Sequence, residues 1–585
     1  MILQALADFS RREGLVQDSS FEYAGVAWAI EIGLDGTFYD LRDLRTDSSG
    51  KKKKLLPRQM LVPKRSKRTV QDQEEFLVDK AEYVLGVGDA DVERRDRRRL
   101  LFAGAIERAA EALKMPDLLA VVHFLGDEAA RTKCAEQLAA MNPVGHELFC
   151  FLVEDEFLHD NAKLKTYWQQ MRTDTGAART DDQCLLCGKM AQAARLHPNI
   201  KGLAGASTSG VPMVSFNKPA YWSYGWENNR NADVCDECAA AYATALNRCL
   251  SSEFPDPRDP EAKLTRQAYL LSGNLTAVYW SDDSSTGVER LVNSAVSDPD
   301  QAQAVLKAPW QGGVTLQALR FHCLLLQGAQ GRATVRSYHS ELISRIHQNV
   351  RDWFTQIAVG TDRTLTLPGM LSSLAVQRKF MKLPPNLSGE IYLAILFGFQ
   401  IPLNAVHLAL SRNRAEAGPS PARVALIQAW LARRPQPNER KLLVKLEPDY
   451  PSTGYQLGRL LAVCEHIQDK ASGGKLNKSL TDRYFSALST RPVFVLGALM
   501  RLTKLRLSQI RRRNESTYLE RTLGDVFVRI APDALPANLT LEEQAKFTLG
   551  YYHQRQARFA GAPESLVSGD DIETDSNNQE ELLHA

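Results

Sequence analysis

The chain has 585 residues, room for three or four domains of ordinary size. Hydrophobic residues make up 44% and charged residues 24%, which excludes wholesale disorder and fibrous architectures. With 72 Lys and Arg against 69 Asp and Glu the net charge is only +3, so any affinity for nucleic acid or a membrane surface has to come from local patches.

A helix is predicted over Ile2–Arg12, where Arg11, Arg12 and Glu13 interrupt the apolar opening MILQALADF. No secretory leader is therefore expected, and with nine cysteines, too few for a disulfide scaffold, the protein is expected in a reducing cytoplasm. Alternating Phe21 and Tyr23, then Val26, Trp28, Ile30 and Ile32, followed by Asp35-Gly36 and Thr37-Phe38-Tyr39, predict a β-hairpin. Residues 51–68 hold nine basic side chains and no acidic one, and Pro57 and Pro63 prevent a continuous helix, so a charged loop or edge segment is expected. From Gln71 to about Gln170 the pattern is helical, with Arg94, Arg95, Arg97, Arg98 and Arg99 read mostly as a solvated helix face. Residues 1–183 thus form an N-terminal α+β domain with a basic loop.

Residues 184–238 change character, being rich in Cys, Gly, Ser, Asn and aromatics, with a strand candidate at 213–216. The middle region, 239–440, is mostly helical, with strand-like stretches at 275–280 and 313–316. The longest apolar run, 391–410, contains Gln400, Pro402, Asn404 and His407, which suit a buried helix pair and not a membrane span. Stretches 412–423 and 432–440 mix Pro with charge, as linkers do. A helical bundle is expected over 441–563, and a disordered acidic tail over 564–585, where seven acids stand with no Lys or Arg. The fold class is α+β: an N-terminal mixed α/β region with a four-cysteine zinc module, followed by an all-helical C-terminal region ending in a helical bundle.

The sharpest chemical signal is Cys184-x2-Cys187 paired with Cys235-x2-Cys238, four thiolates that zinc would draw into a tetrahedron. The 47 residues between the pairs exceed the usual spacing, making a long loop between two knuckles; free cysteines or a redox pair are the alternatives. Four thiolates leave no open position, so the Zn2+ would be structural and would position the loop it closes. In that loop Gly202, Gly205 and Gly210 with Ser207, Thr208 and Ser209 permit close approach to phosphate. Lys201, Lys218 and Arg230 add charge there, and Tyr221, Trp222, Tyr224 and Trp226 add flat faces. A flexible loop with core aromatics is the plainer reading. Lys64, Arg65, Lys67 and Arg68 form a second patch for phosphates, with a solvated charge run as the alternative. A third is a helix with Leu496, Leu499, Leu502, Leu505 and Ile510 on one face and Arg501, Lys504, Arg506, Arg511, Arg512 and Arg513 on the other.

Catalytic signatures are missing where they would matter. Gly473-Gly474-Lys475 continues with Leu476 and lacks the hydroxyl that binds magnesium, and Cys150 stands where a metalloprotease helix beginning at His146 would need its second His. His159-Asp160 is a lone doublet, and no GxSxG elbow exists. The chain reads as a binding protein and not as an enzyme.

Several segments taken together resemble one family. MILQALADF, LLPRQMLVPKRSKRT, FLVDKAEYVLG, ARLHPNIKGLAGASTSGVPMVSFNKPAYWSYGWENNRNA, YQLGRLLAVCEHIQ, DRYFSALSTRP and EEQAKFTLGYYHQRQA run in the order found in the large subunit of the type I-C CRISPR Cascade surveillance complex. The resemblance implies a non-catalytic subunit that binds target duplex DNA, reads the protospacer-adjacent motif, promotes R-loop formation and helps recruit the helicase-nuclease for antiviral defence. The implied partners are the crRNA-bound backbone and crRNA-end subunits, the target duplex, the displaced nontarget strand and the helicase-nuclease. Matching motif positions assign duplex and motif contact to Lys64, Arg65, Lys67, Arg68 and Thr69, and to Ser215, Asn217, Lys218, Tyr224 and Asn231.

The bundle, starting near Tyr455, resembles the small subunit of the complex, which can be made separately from an internal start. No methionine lies between Met381 and Met500, so such a start would use another codon, with Val444 or Leu446 as candidates. Free copies of the bundle would hold the nontarget strand on Arg501, Lys504, Arg511 and Arg512. The zinc expectation rests on cysteine spacing alone. The alternative is a zinc-dependent DNA-binding protein or nuclease outside CRISPR.

Overall fold

The computed structural model describes the chain apart from residues 1, 16–19, 48–54, 66–71, 89–90, 142, 144–145, 175–181, 192, 253, 257–258, 284–286, 308–318, 360–364, 435–443, 474–478, 512–516, 531–534 and 559–585. Lys67, Arg68, Thr69, Arg512, the strand candidate at 313–316 and the acidic tail therefore lie outside the described residues. The described residues fall into two compact units. The first runs to Ala268 and includes Leu326–Arg336; the second comprises Tyr269–Leu325 and the residues from Ser337 onward.

The first unit is organised by the 12-residue strand Phe21–Ile32. Its opening half pairs antiparallel with Arg58–Pro63 and its closing half with Phe38–Asp43, the hairpin expected at Asp35-Gly36. Gly36 is needed at that turn: its φ is +88°, and a Cβ there would lie 2.5 Å from the Cβ of His123. Part of the basic stretch is thus an edge strand, with Pro63 at its end, where a missing N–H costs no ladder bond. Along the other edge runs Leu148–Val153, parallel to Phe21–Ile32, with Ile30 opposite Phe151. That strand sits inside the stretch expected to be helical. All six of its residues are buried, so it lacks the in-out alternation that marks a half-exposed strand. Helices Val92–Leu113, Pro116–Gly126 and Glu128–Ala140 close the core, where Phe102, Ile106, Val121 and Phe124 meet Trp28, Ile30, Phe149 and Phe151.

In the second unit the strand expected at 275–280 is present as Leu275–Ser281. Ala277, Tyr279, Phe321, Cys323 and Leu325 share a core with helices Val288–Ser297, Ile343–Gln356, Leu367–Leu374, Pro385–Phe397, Leu403–Ala415 and Pro421–Ala432. The apolar run 391–410 is a buried helix pair broken at Gly398, whose φ is +69°. Among the described residues no helix is long and apolar enough to cross a membrane. The 412–423 stretch is a packed turn between helices and not a linker. Arg423 there is buried, pairs with Glu416 and donates to the Ser373 carbonyl at 3.2 Å.

The bundle comprises Thr453–Ser472, Leu480–Leu488, Pro492–Arg511, Thr517–Val528 and Leu541–Ala557. Its first and last helices lie backbone against backbone: a Cβ on Gly458 would stand 2.0 Å from the Phe547 carbonyl oxygen. The α+β class and the helical C-terminal region are as the sequence predicts.

Candidate metal centre and nucleic-acid interface

The four cysteines of the two CxxC pairs converge. Cys184 leaves the short hairpin Asp182–Gln183 with Met190–Ala191, and Gly188, at φ +71°, turns the chain so that its N–H donates to the Cys184 carbonyl at 2.9 Å. Cys235 sits at the N-cap of the helix Asp236–Leu250, whose first turn delivers Cys238. Bonds from Leu185 N to Asp233 O at 2.7 Å and from Ala194 N to Val234 O at 2.8 Å tie the two halves together. The four Sγ atoms lie within 4.8 Å of one another, and those of Cys187 and Cys235 are 3.9 Å apart. A tetrahedral zinc with Zn–S bonds of about 2.3 Å requires sulfur separations of about 3.8 Å, so the donor set fits.

Electrostatics favour thiolate at one cysteine of this knot and oppose it at two. Burial raises the Cys184 thiol, but backbone N–H bonds, that of Cys235 first, outweigh it and bring the group down to about 6. Burial raises Cys235 and Cys238. Arg11, on the Ile2–Arg12 helix, donates from Nη2 to the Cys238 Sγ at 3.1 Å and is held in turn by Asp8 at 3.0 Å. With zinc bound, that guanidinium would offset part of the charge of the four thiolates. Nothing in the sequence marks this partner, since 227 positions separate it from Cys238.

The enclosed loop is built, not slack. Asn199–Ile200 pairs with Val211–Pro212, and Gly210, at φ +83°, passes so close that a Cβ would lie 2.8 Å from the Ile200 oxygen. Asn247 of the Cys235-capped helix accepts from Lys201 N at 2.7 Å and donates to the Asn199 carbonyl at 3.2 Å. The short ladder stops at Pro212, and 213–216 is not a strand. Beyond it, Asn217 and Lys218 are exposed, Ser215 is half-buried, and Tyr224 is 94% exposed at φ +55° beside Trp226. Asn231 spends its amide inside the loop, accepting from Ser223 N and donating to the carbonyls of Trp226 and Asn228 at 2.7–2.8 Å. It shapes the loop that the other four occupy.

A cleft of about 940 Å³ opens on the same unit, walled in part by Asn199, Lys201 and Ser209 of the enclosed loop. It is lined by Lys64, Arg65, Arg94, Arg98, Arg195 and Lys201, interleaved with carboxylates. Lys64 faces Asp236 at 3.8 Å, and Arg65 donates to Glu22 at 3.0 Å. Ser215, Asn217, Lys218, Tyr224 and Asn231 do not line it. The predicted residues therefore form two groups, a cleft and an exposed loop tip. Arg94 and Arg98 came from a run read as a solvated face, and only the fold reveals that they look into the cleft.

In the second unit, Arg501, Lys504 and Arg511 are exposed on Pro492–Arg511, Arg511 pairing with Glu520. Leu505, expected to pack, is 63% exposed; Thr503 and Leu507 fill the inward face instead. Among the described residues only the four cysteines gather metal-ligating groups, and the His159-Asp160 doublet is not part of such a cluster; His159 is buried, and burial lowers it to about 4.

One chain thus carries an α+β unit with a four-cysteine knot and a helical bundle, and its sequence places it among CRISPR-associated proteins. The chain belongs to that class by its family: the model of the CRISPR-associated protein family Cas_Csd1 matches residues 4–559. A comparison with curated proteins finds no match. Family membership removes the alternative of a DNA-binding protein outside CRISPR.

Proposed function

We propose that this protein is the non-catalytic DNA-recognition large subunit of a type I-C Cascade, acting in the cytoplasm with a guide RNA and its backbone subunits. The observation that carries the reading is that one compact unit holds a cysteine knot suited to structural zinc and, between its two CxxC pairs, a loop tip with Asn217, Lys218, Tyr224 and Trp226 exposed. Bound zinc would fix both ends of that loop. The Asn217 amide and Lys218 ammonium suit base edges in a groove, while Tyr224 and Trp226 offer faces to an unpaired base. Lys64, Arg65, Arg195 and Lys201 suit phosphates, which position the duplex without reading it. Because guide pairing carries most of the sequence information, a short readout of the protospacer-adjacent motif suffices for R-loop formation. Arg501 and Lys504 then suit the displaced strand, on this chain and on any separately made copies of the bundle. Recruitment of the helicase-nuclease completes the role.

Binding of matched and motif-mutated duplexes to the reconstituted complex tests this. Lys218→Ala should weaken the matched duplex by about 1–3 kcal/mol and spare the mutated one. An equal loss on both would remove the motif-reading role.

A further inference from the structure

The helix Val92–Leu113 begins VERRDRRR, placing five arginines in its first eight residues. A helix N-terminus already carries partial positive charge, so this is the wrong end for cations unless an anion gathers there. One does. Arg94 and Arg97 reach Asp72 Oδ2 at 3.3 and 2.8 Å, Arg98 reaches Oδ1 at 2.9 Å, and the Tyr83 hydroxyl donates to Oδ1 at 2.9 Å. Glu82 also holds Arg98, whose guanidinium lies 5.3 Å from the Tyr83 ring centre. Only 6% of the Asp72 side chain is exposed, whereas Arg94 and Arg97 are 50% and 65% exposed, so the cradle opens to solvent on the arginine side. Asp72 is also the first acidic residue after the basic run 51–68, and it lines the cleft with Lys64, Arg65, Arg94 and Arg98.

Three guanidinia and a hydroxyl converging on two oxygens form a donor set that a phosphodiester would satisfy equally well. We infer that Arg94, Arg97, Arg98 and Tyr83 are a binding site for one backbone phosphate of nucleic acid, and that Asp72 occupies it in the free chain as a built-in competitor. The inference rests on the DNA-recognition reading in taking that phosphate from target duplex. Arg65 on Glu22 and Lys64 on Asp236 repeat the pattern at two other cations of the cleft. Such a device weakens binding to arbitrary duplex, because each phosphate must first evict a carboxylate.

The eviction leaves a signature in salt dependence. A phosphate entering the cradle releases a DNA counterion, but the freed Asp72 recruits one back, so this contact adds almost nothing to the salt slope. In Asp72→Asn the recruitment disappears. Full-length Asp72→Asn should bind duplex about tenfold more tightly at low salt, with a log–log slope steeper by about 0.9. Arg98→Ala in the same chain should abolish the gain. An unchanged affinity and slope in folded Asp72→Asn would overturn the inference. Should that variant not fold, Arg97→Ala, at an exposed position, should cost several-fold on duplexes of any sequence, and no loss would overturn it equally. A gain on guide RNA alone and none on duplex would overturn the duplex assignment. Wild-type chain that binds no duplex at all would instead sink the DNA-recognition reading itself.

Discussion

The cysteine module and the C-terminal bundle reach order by opposite routes. Residues 184–238 have two-residue ladders and few buried apolar side chains, among them Ile200, Leu203, Val211 and Val234; the four cysteines converge where their ends meet. In the bundle, glycines let Thr453–Ser472 and Leu541–Ala557 approach backbone to backbone, with a Cβ on Gly550 only 2.0 Å from the Tyr455 oxygen and one on Gly454 2.1 Å from that of Glu543. The difference makes the bundle vulnerable to added volume, whereas a zinc-bound module would be vulnerable to lost ligands.

The largest effect should come from Gly458→Val. The neighbouring atom is backbone and cannot swing aside, so the two helices must separate, at a cost of about 3 kcal/mol or more. Chemical denaturation of the full chain should show the loss while metal content stays constant. A cost below about 1 kcal/mol would mean the helices are not that close.

Next is Cys238→Ser. Elemental analysis should find about one zinc in the wild-type chain and none in the variant, and amide exchange should lose protection around the cysteine knot and the Asp236–Leu250 helix but not across the bundle. Equal exchange in the two proteins would show that packing, not metal, orders the module.

These contrasts also explain what the sequence made legible. The bundle and the Phe21–Asp43 hairpin declare themselves through periodicity and an Asp-Gly turn, local signals that survive without tertiary context. The cysteine knot declares itself because spacing is part of ligand geometry. Leu148–Val153 does not, since a strand buried on both faces has no alternation to read. Asn231 and Lys218 look alike in sequence as polar loop residues, yet one is consumed by three internal bonds and the other is exposed. Arg98 and Arg501 both belong to basic runs on helices, and only the partners brought by the fold, Asp72 and Glu82, separate them.

A smaller effect separates the bundle from the module by pH. His553 is 3% exposed; its Nδ1 meets the Tyr455 hydroxyl at 3.1 Å, and burial lowers it to about 4. In the unfolded chain a histidine titrates near 6.5, so as pH falls the unfolded state takes up the proton first. The group's contribution is whole above about 6.5 and is lost as pH drops toward 4, at no more than about 1.4 kcal/mol per pH unit. His553→Gln, which can still accept from Tyr455, should flatten that part of the stability profile. An unchanged profile would show that His553 titrates normally.

The smallest effect on stability belongs to the loop tip. Tyr224 is 94% exposed, so its ring contributes little to folding, and its positive φ already strains a non-glycine residue. Tyr224→Ala should therefore shift stability by less than about 0.5 kcal/mol. Tyr224→Gly should stabilise slightly, because glycine accepts the left-handed backbone at no steric cost. Binding should move differently, since a lost stacking face is worth about 1–3 kcal/mol per base. Both variants should then lose duplex opening together, whichever way their stability moves. Should Tyr224→Gly open duplex as well as the wild type, the ring is a surface ornament and base stacking falls to Trp226, 43% exposed and 6.4 Å from Tyr224 between ring centres.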